Sequence, residues 1–516
     1  MTDARSVFRG LLVYSLCLPL AIVLGYMLAT PLDPMSFLTI GLVLALLVTP
    51  LLLRWHHPWL VFFWNASAVI FFLPGRPPIW LCLAAVSLLF TVLQFALDRK
   101  MRPQYVSSIA RPLVLLAAVV IITAVLRGGI GFRVFGSEIG GARRYVFLLA
   151  AIMGYFALSA RRIPPEKAYL YVGLFFLGGL TQAIGSTSAF ASSYLYFVYM
   201  VFPVEFLPGT VELKAGEVGL RMYGMSMAGM IGVFYLLARY PIRDLLNLNR
   251  PLRIFFLFGF LTVCLFGGYR SYLLLILAVT GILFYLEGLL RGKNLPLVVV
   301  GVALAGALIF PLADRLPYQI QRALSVLPVK VSPQVAHDAQ ASTDWRVQMW
   351  KRVLPDVPRY LILGKGCALD LREFDFLRQF RFRQDSTGLS AEMVGDYHNG
   401  PLSVIIPFGL PGVIALIWFW VAGWRWLVQQ YRYGAPELRT VNTLLLALFV
   451  ARIFHFLVVF GGFYYELVHF TGLVGLSVAL NGQASSVPVR AEAAPPVAPR
   501  TRSLPAPLSP PSPAQS

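Results

Sequence analysis

The chain has 516 residues, of which 58% are hydrophobic and 13% charged, and its mean hydropathy is +0.73. These values exclude an ordinary soluble domain and indicate a polytopic membrane protein. The net charge of +20 does not indicate a nucleic-acid partner, because the basic residues are spread over short loops beside lipid head groups instead of along one face.

Apolar runs of about 17 to 25 residues predict membrane-spanning helices. They lie at 11–30, 36–53, 58–74, 79–97, 112–126, 144–160, 168–186, 222–239, 252–268, 271–289, 295–312, 399–424, 440–459 and 463–481. The fold class is therefore an all-α bundle of about 12 to 14 transmembrane helices. The runs 58–74 and 112–126 are short enough to be tilted, re-entrant or interfacial instead. The first run lacks a cleavage signal and reads as an uncleaved anchor.

Basic residues occupy alternate loops, which predicts that these loops are cytoplasmic. The set is Arg5, Arg9, Arg54, Arg99, Lys100, Arg102, Arg161, Arg162, Arg239, Arg243, Arg250, Arg253, Arg291, Lys293, Arg425, Arg432 and Arg439. Both termini are then inside. The predicted organisation is N-terminal helices over 1–312, a large outer loop over 313–398, C-terminal helices over 399–481, and a disordered Pro/Ala/Ser-rich tail over 482–516.

The cysteines predict no metal site. Three of them, Cys17, Cys82 and Cys264, lie in apolar runs, and Cys367 stands alone in the outer loop. No pairing or zinc-ligand spacing is present, so we expect neither a disulfide nor a bound metal or other cofactor.

The outer loop contains one predicted helix. Ser342-Thr343-Asp344 offers a helix cap, and Trp345, Met349 and Val353 repeat every four residues beyond it. The pattern indicates either an interfacial helix or a lid that covers the bundle. Further on, Gly364-Lys365-Gly366 predicts a flexible turn that can approach a ligand closely.

His398-Asn399 stands where the outer loop re-enters the membrane, and Gly409-Leu410-Pro411-Gly412 predicts a bend in the helix that follows. An imidazole at a water-facing membrane edge can act as acid or base. Asp396, two residues earlier, could orient the ring. The alternative is that His398 is only an interfacial or capping residue.

This region resembles the bacterial O-antigen ligase and polymerase superfamily, in which His-Asn opens the helix after a large periplasmic loop. The spacing of His398-Asn399, Gly409 and Gly412 matches its signature. Supporting resemblances are Gly219–Gly224 around Arg221, Gly268–Ser271 around Arg270, and Asp344–Trp350 around Arg346 with the following Gly364–Gly366. The tyrosine before Arg270 departs from the usual small residue, and the helix count exceeds the twelve typical of ligases.

The resemblance implies a metal-independent, inverting glycosyltransferase of the bacterial inner membrane. Its donor would be an undecaprenyl-diphosphate-linked glycan, its acceptor lipid A core in a ligase or the growing glycan in a polymerase, and its active face periplasmic. The sequence leaves ligase and polymerase open, and protein-glycosylating relatives share similar signatures.

The residues support this interpretation independently. Arg221, Arg270 and Arg346 are predicted at the same membrane face as His398, and planar guanidinium groups suit diphosphate oxygens. The arginines would stabilise the leaving group and His398 would deprotonate the acceptor. The alternative is that Arg221 and Arg346 simply extend to lipid head groups.

A second polar cluster lies in the last hairpin, where Arg452 and His455 face Glu466 and His469. A compensated ion pair or a proton path explains it equally well. A proton path would suit the rival function, a transporter of a polysaccharide precursor or anionic lipid. Such a transporter would be expected to show internal repeats, and none is evident.

Overall fold

The computed structural model describes residues 15, 17–23, 25–26, 34–97, 104, 106–131, 141–188, 193–204, 221–291, 295–369 and 395–482. Of the described residues, 78% are helical and none forms a strand. The protein is a polytopic all-α membrane protein, as the composition predicts. The tail 483–516, half of the first predicted span and loop residues 370–394 lie outside the described residues, so the predictions made for them stay predictions.

Eighteen α-helices are numbered here in chain order. They are α1 Pro34–Phe63, α2 Ile79–Leu97, α3 Ser107–Arg127, α4 Ala142–Ser159, α5 Ala168–Leu177, α6 Gln182–Thr187, α7 Val198–Val201, α8 Tyr223–Arg239, α9 Ile242–Leu245, α10 Pro251–Phe266, α11 Arg270–Leu286, α12 Leu295–Ile309, α13 Tyr318–Leu324, α14 Pro333–Val353, α15 Val357–Tyr360, α16 Gly400–Tyr433, α17 Arg439–Phe454 and α18 Phe463–Asn481. A π-helix, His455–Val459, follows α17.

Seven helical segments of the described chain are long and apolar enough to cross a membrane, or up to eight if the bent α1 is one span. They are Ile79–Leu97, Ser107–Arg127, Ala142–Ser159, Pro165–Thr187, Gly400–Tyr433, Pro436–Val459 and Phe463–Asn481. Two shorter apolar helices, α10 and α11, join them. The run at 112–126 is short for a span, but the helix is longer than the apolar run. Helix α3 begins at Ser107 and includes Arg111 and Pro112.

The predicted span at 58–74 is wrong. Helix α1 ends at Phe63, and the residues beyond it form turns and an isolated bridge between Val69 and Pro78. Tertiary hydrogen bonds replace the helical ones here: the Asn65 side chain donates to the Phe175 carbonyl at 2.8 Å, and the Ser67 backbone N–H donates to Thr181 Oγ1 at 3.1 Å. Irregular backbone is tolerated in a membrane protein when protein groups satisfy it in this way.

Helices α4 and α18 run through the centre of the bundle. Buried residues line α4 along its whole length, and most residues of α18 from Phe463 to Leu480 are buried, whereas Tyr465 is exposed. The Trp64 indole N–H donates to the Val468 carbonyl at 3.1 Å, which ties the segment after α1 to α18. The bundle is thus held by aliphatic packing with a few buried hydrogen bonds across it.

The outer-loop helix α14 begins earlier than the sequence pattern indicates. It starts at Pro333, which suits a first helical turn because proline lacks an N–H, so the predicted start at Ser342–Asp344 is wrong. Its apolar face is also not turned to lipid head groups. Met349 and Val353 are buried in a cluster with Leu402 and Ile406, and the Trp350 indole donates to the Tyr397 carbonyl. Helix α14 therefore packs on the start of α16.

Helix α16 is bent at Gly409, as predicted. Its φ is +63° and its ψ is −163°, a combination that glycine adopts without strain and residues with a Cβ do not. The loop after α15 braces the bend. The Leu410 N–H donates to the Leu361 carbonyl at 2.7 Å, and the N–H groups of Lys365 and Gly366 donate to Ile406 and Pro407. The turn 364–366 thus contacts protein backbone, and its glycines serve close packing at the bend.

Candidate active site

A cavity of about 330 Å³ opens where the N-terminal ends of α8 and α11 meet the outer-loop helices. Arg221, Arg270 and Arg346 all line it, although they are far apart in sequence. The other lining residues are Gly268, Tyr269, Ser271, Leu274, Arg322, Val326, Ser342, Thr343, Val458 and Val459. The structure therefore brings the three predicted arginines into one cavity.

A close contact between two helix ends places Arg221 beside Arg270. The Met222 N–H donates to the Gly267 carbonyl at 3.1 Å, directly before the break between α10 and α11. A Cβ on Gly267 would lie 2.1 Å from Ser226 Oγ, so only glycine allows this approach. The sequence thereby holds the start of α8 against the start of α11.

Helix α14 closes the cavity from the outer loop. The Arg270 guanidinium donates through Nη2 to the Ala339 carbonyl at 3.2 Å. Arg346 lies seven residues further along, about two turns, and so projects from the same side of α14. The first half of α14 is polar and therefore shows no apolar periodicity in the sequence. It supplies the Ala339 carbonyl that binds Arg270, and so places Arg270 beside the helix that carries Arg346.

A fourth arginine completes the cluster and was not found from the sequence. Arg322 lies on the short helix α13 and is only 3% exposed. Its Nη1 is 3.3 Å from the Tyr318 hydroxyl and 3.7 Å from Asp338 Oδ2. An arginine in a seven-residue loop helix has no spacing that marks it as functional, and the only sequence signal was its place between the apolar Ile320 and Leu324.

The cavity is electropositive, and none of its described lining residues is acidic. Burial lowers the pKa of Arg346, the positive charges of Arg221 and Arg322 lower it further, and Asp396 opposes the shift. Burial of its guanidinium also lowers the pKa of Arg221, and the positive charge of Arg322 lowers it further. The residue as a whole is nevertheless exposed. Arg346 Nε is buried and has no hydrogen-bond partner among the described residues. Such a cluster stabilises a bound anion.

His398 lies next to the cavity and is not one of the residues that line it. Its ring makes edge contacts with Trp345 at 5.2 Å and Phe460 at 5.1 Å between centroids. The Arg346 guanidinium lies 5.8 Å from the same Phe460 ring. The Phe460 ring thus lies between the His398 imidazole and the Arg346 guanidinium. The sequence did not predict this contact.

The backbone and the neighbours of His398 fix its ring. Its φ is +50°, a left-handed conformation that is uncommon for residues other than glycine and often occurs at functional sites. Nδ1 is 3.0 Å from the Asp396 carbonyl oxygen and 3.4 Å from Asp396 Oδ1. Both partners accept hydrogen bonds, so Nδ1 carries the proton in the neutral ring and Nε2 keeps its lone pair.

Comparison with known families identifies the region that carries this site. Residues 254–417 match a family model described as O-antigen ligase. This match supports the resemblance of the region to the O-antigen ligase and polymerase superfamily. A search of curated proteins gave no match. The matched region contains Arg270, Arg322, Arg346 and His398. Arg221 precedes this region in sequence and lines the same cavity in the structure.

The other predicted site residues, Asn399, Arg452, His455 and Glu466, do not line the cavity. The Asn399 side chain accepts a hydrogen bond from the Leu402 N–H at 3.0 Å and caps α16. Arg452 Nη1 and Glu466 Oε2 form a buried ion pair at 3.0 Å. His455, also buried, begins the π-helix whose last two residues, Val458 and Val459, line the cavity.

Among the described residues, no three of His, Cys, Asp and Glu lie close enough together to hold a metal ion. The charged residues that line the cavity are guanidinium groups. A guanidinium donates hydrogen bonds to phosphate oxygens and, as a cation with no acceptor atom, does not ligate a divalent cation.

Proposed function

We propose that this protein is an inner-membrane glycosyltransferase that moves a glycan from undecaprenyl diphosphate to an acceptor at the periplasmic face. Four arginines around one cavity beside an oriented histidine carry the proposal. The superfamily match of residues 254–417 supports the reaction class.

The arginine cavity would hold the donor diphosphate. A guanidinium donates in a planar fork that fits phosphate oxygens, and several of them offset the charge of a diphosphate. Arg270 and Arg322 already have partners in Ala339 and Asp338, which keep their side chains in place. Arg346 offers an unpaired buried N–H in addition. Binding of a phosphate oxygen would therefore satisfy a donor that otherwise costs free energy.

The transfer would be a single displacement with inversion. The Nε2 lone pair of His398 takes the proton of the acceptor hydroxyl, and the acceptor oxygen forms a bond to the anomeric carbon. The bond from that carbon to the diphosphate oxygen breaks, and its electrons stay on the leaving diphosphate. The arginines stabilise the charge that develops there, a task that metal ions perform in many transferases. We propose that the guanidinium groups suffice and that no metal ion takes part.

The position of the cavity favours this chemistry over transport. Transporters bind their substrate near the middle of the membrane between repeated halves. Here the cavity lies at helix ends and is covered by α13 and α14, which come from the predicted periplasmic loop. A lipid-linked donor can enter such a site from the outer leaflet, and an acceptor, either lipid A core or the growing glycan, can enter from water.

Purified protein in liposomes, supplied with undecaprenyl-diphosphate-linked glycan and an acceptor, tests the proposal. We expect transfer in the presence of a chelator, and its loss in the double variant Arg270→Ala/Arg346→Ala. A matched control, Arg250→Gln/Arg432→Gln, removes two exposed charges that do not line the cavity, one directly before α10 and one in the last turn of α16, and should remain active. Full transfer by the double variant would refute the role of the cavity, and dependence on a divalent cation would refute the metal-independent mechanism.

A further inference from the structure

A second cavity, of about 630 Å³, lies at the other end of the bundle. Helix α4 connects the two ends. Near its start the Tyr145 hydroxyl accepts a hydrogen bond from the Cys367 N–H of the outer loop, whereas the residues after its end, 160–162, line the second cavity. Eighteen helical residues span about 27 Å, so the two cavities are separate.

The second cavity is basic. Its cationic lining residues are Arg54, Arg161, Arg162 and Lys167, and none of its described lining residues is acidic. They come from two segments, the middle of α1 and the turn between α4 and α5. Uncompensated cations around one concave surface bind anions more strongly than the same charges scattered over loops.

The walls of this cavity are aromatic. Trp55, Phe95 and Tyr171 line it together with Pro58 and Pro164. Trp55 is 47% exposed although it lies in a helix of the bundle, so the cavity opens to the surroundings on this side. Tryptophan and tyrosine favour the boundary between hydrocarbon and head groups.

Two side chains give the cavity a defined polar interior. The Arg161 guanidinium donates to Gln94 Oε1 of α2, which holds it in place while leaving its other N–H groups available. Gln104 Oε1 is buried and has no hydrogen-bond partner among the described residues. The cavity therefore presents fixed donors for phosphate oxygens and a buried acceptor that suits a hydroxyl group.

We propose that this cavity binds the head group of an anionic phospholipid from the leaflet at that end of the bundle. The phosphodiester would contact Arg161, Arg162 and Lys167, a head-group hydroxyl would donate to Gln104, and the glycerol and first methylene groups would pack on Trp55 and Phe95. A free phosphate would use the cations alone and leave the aromatic walls unoccupied. Basic pockets between helices beside a membrane surface suit such head groups. This inference does not depend on the proposed transfer reaction.

Native mass spectrometry of the full chain in detergent tests the inference. The protein is titrated with phosphatidylglycerol, with phosphatidylcholine and, separately, with inorganic phosphate as a competitor. We expect saturable binding of phosphatidylglycerol, at least about tenfold tighter than that of phosphatidylcholine, because only the former is net anionic and carries free head-group hydroxyls.

The variant Arg162→Gln/Lys167→Gln removes two exposed cations of the cavity and should weaken phosphatidylglycerol binding about tenfold or more. The control Arg250→Gln/Arg432→Gln removes two exposed charges elsewhere and should change it less than about twofold. If the double variant does not purify, the single exposed change Arg54→Gln should still weaken binding by about threefold.

Equal weakening in the control would show that diffuse surface charge binds the lipid, and would overturn the assignment. Unchanged binding in both cavity variants would overturn it as well. Displacement of the lipid by inorganic phosphate at equal concentration would assign the cavity to a soluble phosphate compound instead.

Discussion

The two cavities, one at each end of the bundle, are each lined by four cationic side chains of the described residues, in very different surroundings. At the arginine cavity, Arg322 is buried, Arg270 and Arg346 are partly buried, and Arg221 alone of the four is exposed. His398 lies beside this cavity, in contact with the rings of Trp345 and Phe460. At the second cavity, three of the four cations are exposed. His57, which also lines the second cavity, is buried, and its Nε2–H donates to the Leu158 carbonyl of α4 at 2.9 Å.

This difference shows that the number of positive charges does not distinguish catalysis from lipid binding. A site that changes covalent bonds needs donors with fixed directions and a group that accepts a proton. A site that binds a lipid head group needs charge and an apolar wall. Burial and the neighbours of each cation, which are features of the fold, separate the two.

Replacing His398 by alanine gives the largest expected difference between the two ends. Loss of a general base lowers the rate of transfer by about 10²- to 10⁴-fold, while phosphatidylglycerol binding at the second cavity should not change. The measurement is single-turnover transfer with purified protein. The control is His337→Ala, because His337 lies on α14 with its side chain 84% exposed. Normal transfer by the His398 variant would remove the histidine from the mechanism.

An arginine-to-lysine change in each cavity tests whether the site needs the planar donor geometry of arginine or only its positive charge. Arg270→Lys removes the planar fork and the bond to Ala339, and we expect transfer to fall about 10- to 100-fold. Arg162→Lys keeps a charge in an open cavity and should weaken lipid binding less than about threefold. Initial rates and lipid titrations measure the two effects. Equal sensitivity at both ends would contradict the distinction.

Hydropathy predicted most of the helices but not the local exceptions. The run at 58–74 resembles a span because many of its residues are apolar and buried, although the residues after Phe63 are not helical. The Asn65 side chain donates to Phe175 and the Ser67 backbone N–H donates to Thr181, both more than 100 residues away in sequence, and no local pattern indicates such partners. Likewise, α14 starts at Pro333 although its apolar periodicity begins only at Trp345, because its first half is polar and contacts Arg270 through backbone.

The candidate site was predicted where short motifs carried it. Arg221, Arg270 and Arg346 stand in recognisable motifs and meet in one cavity, whereas Arg322 has no motif and was found only in the structure. Phe460, which links His398 to Arg346, was missed for the same reason. The role of each of these residues in transfer stays a prediction.

Asp396→Asn should have a smaller effect at the arginine end. The amide cannot accept the Nδ1 proton with the strength of a carboxylate, but the Asp396 backbone carbonyl still holds the ring at 3.0 Å. We expect kcat to fall about tenfold with KM changed less than about twofold, because orientation of the base acts on the chemical step. Asp344→Asn, on exposed Asp344 of α14, is the control. A change in KM alone would mean that Asp396 serves donor binding.

Salt gives the smallest and most general comparison. Raising the ionic strength from 0.1 to 1 M shortens the screening length from about 10 to about 3 Å, and screening acts mainly on exposed charges. Lipid binding at the second cavity should therefore weaken about tenfold, whereas the KM for the diphosphate donor at the arginine cavity, where three of the four arginines are buried or partly buried, should rise less than about threefold. Titration and transfer assays in the same detergent buffers measure both. If the donor KM rises as much as the lipid dissociation constant, the arginine cavity is as open to water as the second one, and burial does not separate the two ends.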